Sequence, residues 1–195
     1  MNQLILATHN DHKVQEFRNI LPQYSVQTLA DLGHDGEIEE TATDLEGNSI
    51  LKAETIFKHY GHVVTSDDSG LEVDALKGAP GVYSARYAGE PRNDQRNIEK
   101  LLNELQGVTN REARFRTIIT LMNAENSFQF EGIVRGTIVK RPRGEGGFGY
   151  DPIFMPQGYH QTFAELAADV KNKISHRANA IGKLIHFLDE HQTFC

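Results

Sequence analysis

Segments with the two-residue period of strands interleave here with segments that have the 3.6-residue period of helices, and that alternation limits the possible folds more than any single motif. Gln3 to Ala7 reads as a short buried strand. Val14, Phe17, Ile20 and Leu21 form the apolar stripe of a helix that Pro22 stops. Tyr24 to Leu29 is a second strand, and residues 31–42 form a polar, acidic loop in which Glu37, Glu39 and Glu40 lie close together. Thr43-Asp44-Leu45-Glu46 has the spacing of a capping box. It opens a helix with Ile50, Ala53, Ile56, Phe57 and Tyr60 on one face, ended by Gly61. A strand from Val63 to Ser66 leads into Asp67-Asp68-Ser69-Gly70, which reads as a sharp acidic turn.

Loop chemistry follows from Lys77 to Ser84, then a helix from about Asp94 to Leu105 with Ile98, Leu101, Leu102 and Leu105 on its stripe. Two long strands, Arg114 to Met122 and Phe128 to Lys140, read as an antiparallel pair turning at Asn123 to Asn126, with Gly132 and Gly136 as bulges. A Gly-rich loop from Arg143 to Tyr150 leads to a short strand at Ile153 to Met155. Thr162-Phe163-Ala164-Glu165 is a second capping box, and Ser175 caps a final helix with Ala178, Ile181, Leu184, Ile185 and Leu188 inward. Interleaved strands and helices followed by a β-hairpin predict an α/β fold with a central mixed sheet flanked by helices. With no repeat or low-complexity linker, residues 1–195 read as one domain.

Composition excludes several classes. A chain of 195 residues buries about 70% of its unfolded surface, enough for a core without staples. The single cysteine, Cys195, rules out a disulfide framework and a cysteine zinc site. The apolar run Leu4 to Ala7 is too short for a signal peptide or a membrane span, so the default is a cytoplasmic protein without a membrane partner. A net charge of −7 disfavours nucleic acid as a partner, yet a site that is locally cationic or recruits Mg²⁺ can still hold phosphates.

Five stretches can carry chemistry, one of them Glu39-Glu40 with Lys52, which taken alone read as surface charges. The pair Asp67-Asp68 is either a solvated corner or a cation site, because adjacent anions repel unless a cation relieves them; Mg²⁺ suits oxygen ligands. Thr8-His9-Asn10-Asp11-His12-Lys13 stands where a strand hands over to a helix N-terminus, with orphan N–H groups and, at Asn10, a residue that tolerates the left-handed conformation of a phosphate nest; Thr8 or Asn10 as a plain helix cap is the alternative. Gly144 to Gly149 matches G-x-G-x-x-G, but no helix follows, so the dinucleotide reading fails. Its useful feature is Phe148, a ring that can stack on a base or else anchor the loop. Lys171 with Ser175-His176-Arg177 gathers donors suited to carbonyl or phosphate oxygens, or is a solvated helix end. The histidines show no metal-binding spacing, and no G-x-S-x-G elbow marks a serine hydrolase.

Taken together, Thr8-His9-Asn10-x-x-Lys13, Asn48-Ser49-Ile50-Leu51-Lys52-Ala53, Ser66 to Leu71, Gly78 to Tyr87, Gly147 to Pro152 and Ser175-His176-Arg177 resemble the inosine-triphosphate pyrophosphatases, also called XTP/dITP diphosphatases. The resemblance implies two lobes with a nucleotide cleft between them and a homodimer. It also implies Mg²⁺-dependent cleavage of ITP, dITP or XTP to the monophosphate and pyrophosphate, which clears them from the nucleotide pool. By the same likeness, Glu40 and Asp68 hold the metal, Asp68 is the catalytic base and Asp67 supports it. Thr8 to Lys13 cradle the triphosphate, with Ser69 in reach and Lys52 and Lys171 adding charge. Phe148 with Gly149 and Tyr150 meets the base, and Asp151, His176 and Arg177 read its edge. Many members carry Gly where this chain has His9. Two alternatives remain, a pyrophosphatase of pyrimidine or modified nucleotides and a sensing module that binds without turnover.

Overall fold

Strand and helix alternate in the computed structural model as the periodicities require; it describes residues 3–36 and 38–191, so Glu37 and Cys195 lie outside the described residues. The order is β1 (Gln3–Leu6), α1 (Asp11–Ile20), β2 (Ser25–Thr28), α2 (Leu45–Tyr60), β3 (Val64–Val73), α3 (Asp94–Glu104), β4 (Glu112–Met122), β5 (Ser127–Ile138), β6 (Phe154–Pro156), α4 (Ala168–Ile174) and α5 (His176–Glu190). Short 3₁₀ turns lie at Asp74–Leu76, Gly81–Arg86 and Asp151–Ile153, the last taking Ile153 out of the strand expected to start there. Among the described residues the strands form one sheet in the order β2-β1-β3-β4-β5-β6. β1 is parallel to both β2 and β3, and β6 is antiparallel to β5. Asn123 N–H donates to the Asn126 carbonyl at 3.0 Å in the turn that joins β4 to β5. The sheet is therefore mixed, as expected. No helix of the described residues is long and apolar enough to cross a membrane.

The main correction concerns the acidic turn. Val64–Val73 is one continuous ten-residue strand, and Asp67-Asp68-Ser69-Gly70 lies in its interior. Strand geometry sends successive side chains to opposite faces, so the two carboxylates point apart and each meets its own cations. Gly70 is required for contact rather than for turning, since a Cβ there would stand 2.4 Å from the Gly81 carbonyl oxygen. Gly136 is similar. β5 runs through it, and a Cβ would lie 2.4 Å from the Met155 carbonyl oxygen of β6.

The caps also differ in detail. Asp44, not Thr43, is the N-cap of α2, accepting from Gly47 N–H, while Gly61 ends the helix at φ 67°. In the second box, Glu165 accepts from Thr162 N–H at 2.7 Å, but what closes is a turn; α4 starts later at Ala168 without a side-chain cap.

The chain divides into two compact units, Met1–Asp68 with Thr117–Gly132 and Arg177–Cys195, and Ser69–Arg116 with Ile133–His176. In the first, α1 and α5 pack Val14, Phe17, Ile181 and Leu184 on Leu4, Leu6, Ile119 and Leu121, while Ala53 and Ile56 of α2 pack on Ile5, Val64 and Met122. In the second, Ile98 and Leu101 of α3 join Leu71, Val73, Phe115, Phe154 and Phe163 in a separate core.

Candidate active site

In the first unit, polar residues occupy positions that an apolar stripe would fill. The buried face of α2 is Leu45, Asn48, Ser49, Lys52, Ala53 and Ile56, a helical spacing with three polar members. Lys52 Nζ meets Glu40 Oε1 at 2.8 Å and Asp68 Oδ1 at 3.1 Å. Asn48 Nδ2 donates to Asp68 Oδ2 at 3.3 Å. Burial pushes the Asp68 carboxyl above the usual range, with Glu40 adding to the rise, although Lys52 and Lys13 oppose it. Burial lowers the Lys52 pKa, but Asp68 and Glu40 more than reverse this, so Lys52 stays charged.

Asp67, on the opposite face of β3, has a different fate. Lys13 Nζ meets its Oδ2 at 3.1 Å, and Nε and Nη2 of Arg177 reach the same oxygen at 3.2 Å. Burial alone would raise this carboxyl; the charges of Lys13, Arg177 and Lys52 outweigh it and hold Asp67 well below the usual range. Arg177 also binds Glu16, so a buried chain Glu16–Arg177–Asp67–Lys13 links α1, β3 and α5. The neighbours thus have pKa values moved in opposite directions.

The strand-to-helix turn is a cap in its own right. Asn10 is the N-cap of α1 in extended geometry, φ −88°, and its side chain accepts from the N–H groups of His12 and Lys13. The left-handed nest expected at Asn10 is therefore absent, because the amide oxygen takes two of the helix's orphan donors. Asn10 N–H in turn donates to Thr8 Oγ1 at 3.2 Å. Asp11 and His12 are exposed at the start of α1, and His9 Nε2 donates to the Gly36 carbonyl at 3.0 Å.

The second unit holds the loop around Phe148. Asp151 Oδ2 accepts from Phe148 N–H at 2.9 Å and from Lys171 Nζ at 2.7 Å. Lys171 lies 4.8 Å from the Phe148 ring centroid, a cation–π contact. Gly147, at φ 72°, passes so close to Asp151 that a Cβ would stand 2.1 Å from its Oδ2. Gly149 N–H donates to Asp94 Oδ2 at 2.9 Å, and Tyr150 OH to the Ser84 carbonyl at 2.9 Å. His176 is buried and stacks on Phe115 with centroids 4.8 Å apart. Ser69 is half-buried within β3.

The structure thus gathers Thr8, Asn10, Lys13, Glu40, Lys52 and Asp68 in the first unit, and Phe148, Gly149, Tyr150, Asp151, Lys171 and His176 in the second. Two of the expected residues have partners that the sequence does not indicate. Arg177, expected at a base edge, is 1% exposed and engaged with Glu16 and Asp67. Lys171, expected to add charge at the phosphates, is the partner of Asp151 and Phe148. Sequence reading passed over Glu16 and gave no role to Asn48. For Asn48 the signal was present, as a polar residue on the buried stripe of α2; for Glu16 nothing distinguished a buried charge from a surface one.

Glu40 and Asp68 converge on one ammonium, so two hard oxygen donors face a common point where positive charge is stabilised. That fits Mg²⁺, which takes one or two carboxylates and fills its remaining positions with water and substrate phosphates. Among the described residues no group of three or more His, Cys, Asp or Glu gathers to hold a metal.

A model of the Ham1 family matches residues 4–187. A dITP/XTP pyrophosphatase of Bacillus licheniformis is 50% identical over 195 residues, covering 97% of this chain and 100% of its own. That of Bacillus subtilis is 51% identical over 194 residues, covering 97% and 98%. The solved Ham1 protein of Staphylococcus aureus superposes with a TM-score of 0.89 at 44% identity, covering 97% of this chain and 100% of that one.

Proposed function

The chain belongs to the Ham1 family, and from that premise we propose that it is a nucleoside-triphosphate diphosphatase that clears deaminated purine nucleotides. It hydrolyses dITP, ITP and XTP to the monophosphate and pyrophosphate. The observation that carries the chemistry is the split within the aspartate pair, with Asp68 facing Lys52 beside Glu40, and Asp67 tied to Lys13 and Arg177. Its near full-length likeness to enzymes named for dITP and XTP supports the substrate class.

The reaction needs a deprotonated water and charge neutralisation on the phosphates. Asp68 takes the proton from a water whose oxygen bonds to the α phosphorus. The α–β bridging P–O bond breaks and its electron pair leaves with pyrophosphate. Lys52 keeps Asp68 oriented and, with Lys13, supplies fixed positive charge. Mg²⁺ held by Glu40 and Asp68 would neutralise phosphate charge. Thr8 to Lys13 meet the phosphates at the N-terminus of α1, and Ser69 adds a hydroxyl. Arg177 acts behind Asp67 rather than on the base.

In the second unit, Phe148 presents a ring to stack on the base, and Gly149 and Tyr150 hold the loop that carries it. Asp151, Lys171 and His176 read its edge. Hypoxanthine and xanthine present a 6-keto acceptor, and adenine an amino donor; donors aimed at that position reject adenine because they would be left facing another donor. The 195 residues act as one catalytic domain, the protein works as a homodimer, and its place is the cytoplasm, where the nucleotide pool lies.

The test is a comparison of kcat/KM for dITP, ITP, XTP, GTP, dTTP and UTP with Mg²⁺. The three deaminated purines should lead dTTP and UTP by about two orders of magnitude or more, the scale of a site whose buried polar groups are left unpaired by the wrong base. A lead by dTTP or UTP would replace this reading with a pyrimidine pyrophosphatase. Stoichiometric binding without turnover would make the protein a sensor.

A further inference from the structure

We infer that Asn48 is a positioning residue for Asp68 and for the segment that carries Glu40; this rests on the reading of Asp68 as the base. Asn48 is fully buried and sits on α2 four residues before Lys52, so the two side chains share one helical face. Its Oδ1 accepts from Ala42 N–H at 2.9 Å. A backbone N–H can only donate, so that contact fixes which way the amide faces and leaves Nδ2 aimed at Asp68 Oδ2, 3.3 Å away. Lys52 takes the other carboxylate oxygen at 3.1 Å. Two residues of one helix therefore hold one oxygen each.

The same pair holds the incoming segment. Lys52 binds the Glu40 side chain at 2.8 Å, and Asn48 binds the backbone two residues further on. Thr117 Oγ1 donates to the Asp68 carbonyl at 3.0 Å, which fixes the backbone beneath the carboxylate. Lys52 alone would not give this definition, because an ammonium is a point charge with rotatable donors. The Asn48 amide is planar and directional. It is also neutral, so it orients Asp68 without adding a positive charge that would oppose a bound cation. Ser49, the next residue, is tied by its Oγ to Thr120 Oγ1 at 2.8 Å and Ser66 Oγ at 3.1 Å, which secures this turn of α2 against β3 and β4.

Two single variants and one double variant test the assignment, with kcat and KM for dITP and thermal midpoints as readouts. Asn48→Asp keeps an acceptor for Ala42 N–H but sets an anionic oxygen against Asp68; Asn48→Ala removes both bonds. Both should lower kcat by about 10–100-fold, the scale for groups that orient a reactive ligand, while KM for dITP changes little. A purely structural role would lower the folded fraction and leave kcat per folded molecule unchanged. Asn48→Asp combined with Asp68→Asn restores an amide–carboxylate pair with the roles exchanged. It should recover the thermal midpoint lost in Asn48→Asp without recovering turnover. Folded single variants with kcat within about twofold of the parent would overturn the inference, as would a double variant no more stable than Asn48→Asp. A parent without turnover on dITP would fail the functional reading itself, and the stability comparison would still decide whether Asn48 and Asp68 are coupled.

Discussion

Asp67 and Asp68 are adjacent in the chain but separate in chemistry, because a strand aims them at different partners. Asp68 lies against Lys52, which also binds Glu40, and the proposed mechanism makes it the base. Asp68→Asn should lower kcat by about 10²–10⁴-fold, the usual range for loss of a general base, with the circular dichroism of the parent. Near-normal turnover would remove Asp68 from that role. Arg177 predicts a stability effect instead. It is buried between Glu16 and Asp67, and its removal takes the guanidinium away from both carboxylates. Arg177→Met should destabilise the protein by roughly 3–5 kcal/mol in urea unfolding, as broken buried ion pairs do; a loss below about 1 kcal/mol would place Arg177 at the surface. Asp31 gives a signed pH effect. Its carboxylate accepts from Thr28 N–H at 2.9 Å, and this bond, with the Thr28 hydroxyl and Arg18, lowers its pKa. A depressed folded pKa gives stability that is present above the unfolded value and lost as pH falls through the folded one. In Asp31→Asn, that acid-side loss should disappear from the pH dependence of unfolding.

At the scale of elements, strand and helix periods were legible wherever local pattern and burial agree. α1, α3 and the β4–β5 pair lie where their stripes and alternations placed them. In β3 the local pattern predicts a turn because Asp, Ser and Gly are turn formers, and what keeps them extended is non-local. Lys13, Lys52 and Arg177 neutralise the carboxylates, and the Gly81 backbone packs where a side chain at 70 would stand. The Asn10 nest was misread for a related reason, since its side chain could either cap the helix or leave its N–H groups open. The site was half legible. Residue types pointed to phosphate and base chemistry, but the tasks of Arg177, Lys171 and Asn48 depend on partners far away in sequence. Gly136 gives the test for an element. Gly136→Ala should destabilise by about 1–3 kcal/mol, because the added carbon overlaps the Met155 carbonyl and the Phe154 ring. A neutral effect would mean that β6 is not held against β5.

For the whole molecule, the proposed function comes down to which phosphate bond is cleaved. In the proposed function, an acidic chain of net charge −7 meets a polyanion with local positive charge, Lys13 against Asp67 and Lys52 between Glu40 and Asp68. The most direct measurement is the phosphorus product released from dITP in the presence of Mg²⁺, resolved by phosphorus NMR. The account predicts pyrophosphate and dIMP in equal amounts, with no orthophosphate. Release of orthophosphate with dIDP would contradict it.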